Sequence, residues 1–551
     1  MRAVLRTRGR RWPTWVLLAA VHTVIAVFFL SGRSPGTDAA CTGLPLDDGW
    51  IHLVYGRSVA QSGLPYYNAH ELEAGFTSPA WVIVCAVAHW LAALPGLDAV
   101  LALKILGTLI AIAMTWGVCE LARICCESRV GALLAGLLSA LTPALAFSQV
   151  SGMEVCLAAG FGLWAVCAWH GRRYLTVGVL LALAFWTRPE MLLLCGLVFI
   201  ALFRRWLDTF SRDDLRALLK AVLPTLVLGV LWSGYCLAVT GRILPNTFYA
   251  KFTSGHPQGL LTVVREAVWT LPVNFMMAGV VLYVLGVVQV IRRPTPVRWV
   301  TLFFPWCFIT AIAVSRYLPP GSGKFYYWLR YVVPALPFLY PIIAAGWRLL
   351  WPLATGSPGD QAVGAEGRLS ADAQDQRTPS RSLASLALWS RRGLATALAV
   401  LCLVAHPWEL RRAAEQYAWN CQNINEVQVD IGRWVAEHTP EDAAIVVNDA
   451  GALRYFGQRR TIDLMGLNRH ALAHDRGRFL AIIASASAMR DFMGAVDADY
   501  LIVFPPFFPG VFDDPRANWL FENVYQARSE NYTIVDAPQD LMVVHKLRSR
   551  G

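Results

Sequence analysis

Two adjacent carboxylates, Asp47 and Asp48, follow the first long apolar block by some seventeen residues. Side by side they repel, so one of them is held by a cation or metal or carries a raised pKa that suits a general base. The same pair also fits a helix amino terminus, with Asp48 capping a helix that starts near Gly49. Further polar residues stand where apolar blocks end. These are Glu73 in Glu71-Leu-Glu-Ala-Gly-Phe-Thr-Ser-Pro79, Glu154 in Ser151-Gly-Met-Glu154, Arg188 and Glu190 in Thr187-Arg-Pro-Glu190, and Asn246, Tyr249 and Lys251 in Leu244-Pro-Asn-Thr-Phe-Tyr-Ala-Lys251. An ionisable group at the centre of a bilayer costs roughly 2.5 to 3.5 kcal/mol on insertion scales, so such residues serve a cavity or a pair. Arg188 and Glu190 also fit simple mutual neutralisation. Arg316, Lys324 and Arg330 mix with aromatics between Ser315 and Tyr331. That mixture suits an anionic headgroup with an apolar tail, and equally an interfacial aromatic belt with snorkelling cations. Gly321-Ser-Gly-Lys324 is no phosphate loop, because Leu318 stands where that motif needs Gly.

The elements that position these residues follow from composition. Of 551 residues, 56% are hydrophobic and only 15% charged, which excludes a soluble globular, disordered or collagenous chain. The apolar residues fill blocks up to about residue 405 and then cease. Eleven spans are expected, at Trp12 to Leu30 and about 98–121, 129–148, 153–170, 174–187, 190–203, 218–239, 272–291, 298–315, 331–351 and 390–406. Counting Ser78 to Leu94 as a dip that does not cross puts every arginine cluster on one side, the cytoplasmic one, together with the amino terminus. The net charge of +11 is then a topology signal and not a nucleic-acid surface. Residues 355–385 have a flexible-linker composition. The tail from Pro407 to Gly551 regains ordinary polarity. A helix is expected at Asn425 to His438, and strands at Ala444 to Asn448, Thr461 to Leu464, Tyr500 to Phe504, Tyr532 to Val535 and Leu541 to Lys546. This is a small α/β domain, outside the cell by span parity, with enough residues to bury its own core. Most cysteines sit in or beside apolar blocks as small hydrophobes, leaving Cys41 and Cys421 exposed, and no zinc spacing occurs.

Taken in order, Asp47-Asp48, "GRSVAQSGLPYYN", "EAGFTSPAW", "SGME", "TRPE", "LPNTFYAK", "RYVVPALP" and, in the tail, "NDAGALRYFGQRRTIDLMGL" resemble the glycosyltransferase type C superfamily. Within it they are most similar to relatives of the mycobacterial terminal arabinofuranosyltransferase. The resemblance implies a polytopic α-helical membrane protein whose catalytic region, residues 1–406, carries outer loops, including loop 31–77, that build a cavity. A C-terminal extracytoplasmic α/β domain, 407–551, completes it. It also implies transfer of a sugar from a polyprenyl-phosphate monosaccharide to an extracytoplasmic glycan, lipid or protein acceptor.

On that implied chemistry, Asp47 is the preferred base, with Asp48 nearly equivalent and otherwise orienting the acceptor or binding a divalent metal. No cofactor is certain. Lys251 and Arg330, with Arg188, Arg316 and Lys324 nearby, would hold the donor phosphate, while Glu73, Glu154, Glu190, Asn246, Tyr249 and Asp449 would line the cavity or meet the acceptor. In the tail, Asp449 and Asp463 also fit turn closure and helix capping. A transporter or flippase of a lipid-linked glycan is the rival reading; against it, ionisable residues gather at outer span ends and no repeat is visible.

Overall fold

The computed structural model describes residues 12–32, 42–252, 277–315, 330–351, 381–404, 406–530, 534 and 540–548. Its first half is helical: α1 (Trp12–Leu30), α2 (Asp47–Ser62), α3 (Pro79–Leu91), α4 (Ala99–Cys126), α5 (Arg129–Leu141), α6 (Pro143–Val150), α7 (Val155–His170), α8 (Tyr174–Thr187), α9 (Leu192–Thr209), α10 (Arg212–Thr240) and α11 (Asn246–Phe252). Then come α12 (Met277–Arg292), α13 (Pro296–Ser315), a 3-10 turn at Val333–Phe338, α14 (Tyr340–Leu350) and α15 (Arg381–Val404). Among the described residues, five helices are long and apolar enough to cross a membrane. The α5–α6 pair, bent by 62°, makes up to six, and five shorter apolar helices accompany them. The chain is thus a multi-pass membrane protein.

The thirteen residues of α3 rise only about 20 Å, short of the roughly 30 Å hydrocarbon core. It packs as a hairpin on α2, the helix of the first loop. The linker at 355–385 lies outside the described residues up to 380, and Arg381 already begins α15.

In the tail, α16 (His406–Ile424) runs through one π turn at Asn425–Val429 into α17 (Asp430–His438). After the β1 (Tyr66–Asn68) and β2 (Glu71–Leu72) ribbon of the first loop, the tail contributes β3 (Ala444–Val447), β4 (Arg460–Asp463), β5 (Tyr500–Val503), β6 (Phe521–Arg528) and β7 (Leu541–Leu547). Their order is β4-β3-β5-β7-β6, with β4, β3 and β5 parallel and β7 and β6 antiparallel. The expected strands at 444–448, 461–464, 500–504 and 541–546 match β3, β4, β5 and β7 to within a residue or two. Except for Ile534, the one expected at 532–535 lies outside the described residues. β6 is an edge strand whose alternation is blurred by its bulge at Asn523/Tyr525.

The tail shares part of its core with the first loop and α10. Ile51, Tyr55 and Tyr67 of the first loop, and Trp232 of α10, pack in one cluster with Val427, Ile431, Ile445 and Ile502 of the tail. A separate cluster on the sheet's other face, built by Val446, Leu464, Met489, Leu501 and Phe508, belongs to the tail alone. Cys421, read as exposed, is buried, its thiol directed at the Gly43 carbonyl at 3.8 Å; Cys41 lies outside the described residues.

Candidate active site

The motif residues converge because each sits at a forced break in the backbone. α2 begins at Asp47 itself, and no side chain caps it, so Asp48 lies inside the first turn and is no cap. After α6, Gly152 takes a φ of +76°, a region costly for other residues, and a Cβ there would meet Leu44 at 2.8 Å. That turn delivers Glu154 to the start of α7. At the end of α8, Pro189 drives Arg188 into extended backbone with φ −147°, which swings its side chain back over Glu154. Arg330 and Tyr331 enter just before the proline-rich turn at Val333–Phe338.

Together they enclose a cavity of about 360 Å³. Asp48 Oδ2 accepts from Arg330 Nη2 at 2.7 Å, and Arg330 also donates to the Tyr331 hydroxyl at 3.2 Å. Arg188 donates to Glu154 at 3.0 Å, lies 3.6 Å from Glu190, and reaches the Arg330 carbonyl at 3.4 Å. Both guanidinium side chains are about 95% buried. Phe185, Trp232, Pro245 and Phe248 supply an apolar wall. Buried polar atoms in this lining that have no hydrogen-bond partner among the described residues include Glu154 Oε2, His52 Nδ1 and Thr247 Oγ1. Burial lowers the His52 pKa, against the opposing pull of Glu154 and Asp48, so the ring is neutral near pH 7.

Asp47 faces elsewhere. Its two carboxylate oxygens accept from the backbone N–H groups of Gly451 and Ala452, both at 2.8 Å. Burial, then the nearby Asp449 carboxylate, raises its pKa well above the usual carboxylate range. Asp449 accepts from Gln428 at 2.8 Å and Asn448 at 3.0 Å, and burial pushes it up to about 6. Glu73 joins three parts of the chain, accepting from Asn246 at 2.8 Å and pairing with His470 at 2.9 Å. Asp463 closes a turn by accepting from the N–H groups of Met465 and Asn468. Tyr249 stacks edge-on against His474. Lys251 belongs to α11, while Arg316 and Lys324 lie outside the described residues.

Of the residues singled out in the sequence, the cavity therefore gathers Asp48, Glu154, Arg188, Glu190 and Arg330. Asp47, Glu73 and Asp449 instead form the seam between first loop and tail. His52 was missed as a lining residue. Its signal was spacing, since it stands one helical turn after Asp48 and shares its face. No group of three His, Cys, Asp or Glu side chains among the described residues could hold a metal. The Asp48 carboxylate is engaged by Arg330, so these residues do not make a ligand set for the divalent ion considered above.

The fold is shared with solved structures of ArnT and an archaeal oligosaccharyltransferase. ArnT from Cupriavidus metallidurans, solved bound to undecaprenyl phosphate, superposes with a TM-score of 0.57 at 16% identity, covering 98% of each chain. The oligosaccharyltransferase AglB from Archaeoglobus fulgidus, solved with an inhibitory peptide and a dolichol-phosphate, gives 0.55 at 12% identity over 96% of this chain and 75% of its own. The apo form of the A. fulgidus oligosaccharyltransferase gives 0.57 at 11% identity, covering 97% and 76%. Residues 420–544 match a domain of unknown function, DUF8728. No curated protein matches the sequence.

Proposed function

We propose that the chain is a membrane glycosyltransferase that moves a sugar from a polyprenyl-phosphate carrier to an extracytoplasmic acceptor, a glycan of the cell envelope. The observation that carries this reading is the composition of the cavity: three carboxylates and two buried guanidinium groups, beside buried polar atoms that lack partners among the described residues. The solved proteins that share the fold include ArnT with undecaprenyl phosphate and AglB with a dolichol-phosphate. The motif order supports a relation to the mycobacterial arabinofuranosyltransferases. The arginine distribution supports a cytoplasmic amino terminus and an extracytoplasmic tail.

In this reading the acceptor hydroxyl attacks the anomeric carbon and gives its proton to Asp48. The bond from that carbon to the phosphate oxygen breaks, and polyprenyl phosphate leaves with one more negative charge than it carried in the donor. Arg330 and Arg188, with Lys251 from α11, stabilise that growing charge. Glu154 and His52 take sugar hydroxyls as their missing partners. A single displacement with one base inverts the anomeric centre, by analogy with inverting glycoside hydrolysis. Asp48 is the base in preference to Asp47, because both Asp47 oxygens are committed to backbone N–H groups.

The test is release of polyprenyl phosphate from a panel of polyprenyl-phosphate monosaccharides, with and without a cell-wall glycan acceptor, by wild type and Asp48→Asn. Acceptor-dependent release by the wild type alone supports transfer. A protein that carries the lipid across vesicles without cleaving any member of the panel is a transporter, and the proposal fails.

A further inference from the structure

At the end of the bundle away from the candidate site lies a larger crevice, of about 840 Å³. Glu154 precedes α7 and Gly171 follows it, so the sixteen residues of that helix, about 24 Å long, separate the two cavities. One wall is apolar, made by Trp116, Trp164 and Leu180. The other end carries three cations, Arg123, Arg173 and Arg298.

These cations are not equivalent. Arg298 is 5% exposed. Its terminal nitrogens donate to the carbonyls of Arg293 and Ile124 and to Glu127, while its buried Nε has no hydrogen-bond partner among the described residues. Arg123 pairs with Glu120 on its own helix. Arg173 is exposed and makes no ion pair among the described residues. Three guanidinium groups thus face two carboxylates, with one N–H left over in a buried place.

The neighbouring surface belongs to lipid. Leu175 and Val179 on α8 are exposed, and this fourteen-residue helix rises about 21 Å, less than the hydrocarbon thickness. A short helix thins the bilayer locally and draws headgroups inward. We infer that the crevice binds an anionic membrane phospholipid, its phosphate held by Arg173 and Arg298 and one acyl chain lying along Trp116, Trp164 and Leu180. Glu127, half in solvent, accepts from a headgroup hydroxyl. Basic pockets between membrane helices at the interface are suited to such headgroups. The site is independent of the transfer reaction proposed above.

The experiment uses the full chain, stripped of lipid in detergent and offered phosphatidylglycerol and phosphatidylcholine in equal amounts. Retained lipid is read by native mass spectrometry, and inorganic phosphate is added as competitor in a parallel arm. Wild type should retain phosphatidylglycerol in preference. Arg173→Gln, at an exposed position that leaves the fold intact, should weaken that retention about fivefold and narrow the preference over phosphatidylcholine. Thr176→Trp, exposed on the crevice wall, should block the lipid with an unaltered melting curve. Equal retention of the two lipids, or retention indifferent to both variants, overturns the inference. Displacement of the lipid by millimolar inorganic phosphate assigns the cations to a free phosphate and overturns it as well.

Discussion

Asp47 and Gly451 stand 404 residues apart in sequence and 2.8 Å apart in space, the Gly451 N–H donating to the Asp47 carboxylate. The approach is possible only without a side chain at 451, since a Cβ there would lie 2.1 Å from the Asp47 carbonyl oxygen and 2.7 Å from Oδ1. The seam holds Asp47, and α2 carries Asp48 one residue further on, so the tail sets where Asp48 meets Arg330. Gly451→Ala should lower stability by about 1 to 3 kcal/mol and reduce turnover. Gly494→Ala, where a Cβ meets nothing within 4 Å, should leave turnover unchanged. Melting curves and transfer rates on the purified protein check both.

The two aspartates separate in a simple substitution pair. Asp48→Asn should cost about 10² to 10⁴ in turnover with little change in melting, the range of general-base catalysis. Asp47→Asn turns an amide N–H₂ toward a backbone donor, so it should cost about 1 to 3 kcal/mol of stability and less in rate per folded molecule. If Asp47→Asn proves the slower enzyme at equal stability, the roles are reversed.

Much of this was legible in the sequence. Apolar blocks gave the helices, β-rich runs gave four of the five tail strands, and the short motifs gave Glu154, Arg188 and Arg330 as cavity residues, the first two because Gly152 and Pro189 dictate the backbone beside them. What the sequence hid was long-range. Neither aspartate of an adjacent pair announces which way it points, and the partner that decides, Gly451, lies in another part of the chain. The shared core was hidden for the same reason. Nothing in the local sequence marks a distant partner for either tyrosine of the first loop, yet Tyr55 donates to Asn468 and Tyr67 to the Ala450 carbonyl. In parallel α/β sheets, ligands commonly bind beyond the carboxyl ends of the strands. Here the ends of β3 and β4 are covered by the first loop, so a tail expressed from Pro407 would expose the apolar face it now shares with Ile51, Tyr55 and Tyr67.

The Arg188–Glu154 pair should behave as a buried one. Arg188→Ala strands the Glu154 carboxylate, which already has one oxygen without a hydrogen bond, and should destabilise by about 3 to 5 kcal/mol. The double variant Arg188→Ala/Glu154→Ala should recover part of that loss, because no uncompensated charge remains. Thermal unfolding of the three variants gives the coupling directly. A double variant no more stable than Arg188→Ala would show that Arg188 acts through Glu190 and the Arg330 carbonyl and not through Glu154.

The seam should also respond to pH. Asp449 is raised by burial to about 6, against about 3.9 for an unfolded aspartate, and Asp47 is raised in the same direction by burial and by Asp449 itself. Between about pH 4 and 6 the folded chain therefore holds protons that the unfolded chain has released, and stability falls as pH rises through that window. The Asp449 contribution is fully present below about pH 4 and is lost as pH rises through about 6. Hydrogen exchange at the Gly451 and Ala452 amides reads the junction itself. Protection relative to Asp449→Asn, measured at the same pH so that intrinsic exchange cancels, should be highest near pH 4.5 and decline toward pH 7. A ratio that is flat across this range, or that rises with pH, would mean that Asp449 is ionised throughout and that the seam is held by its hydrogen bonds alone.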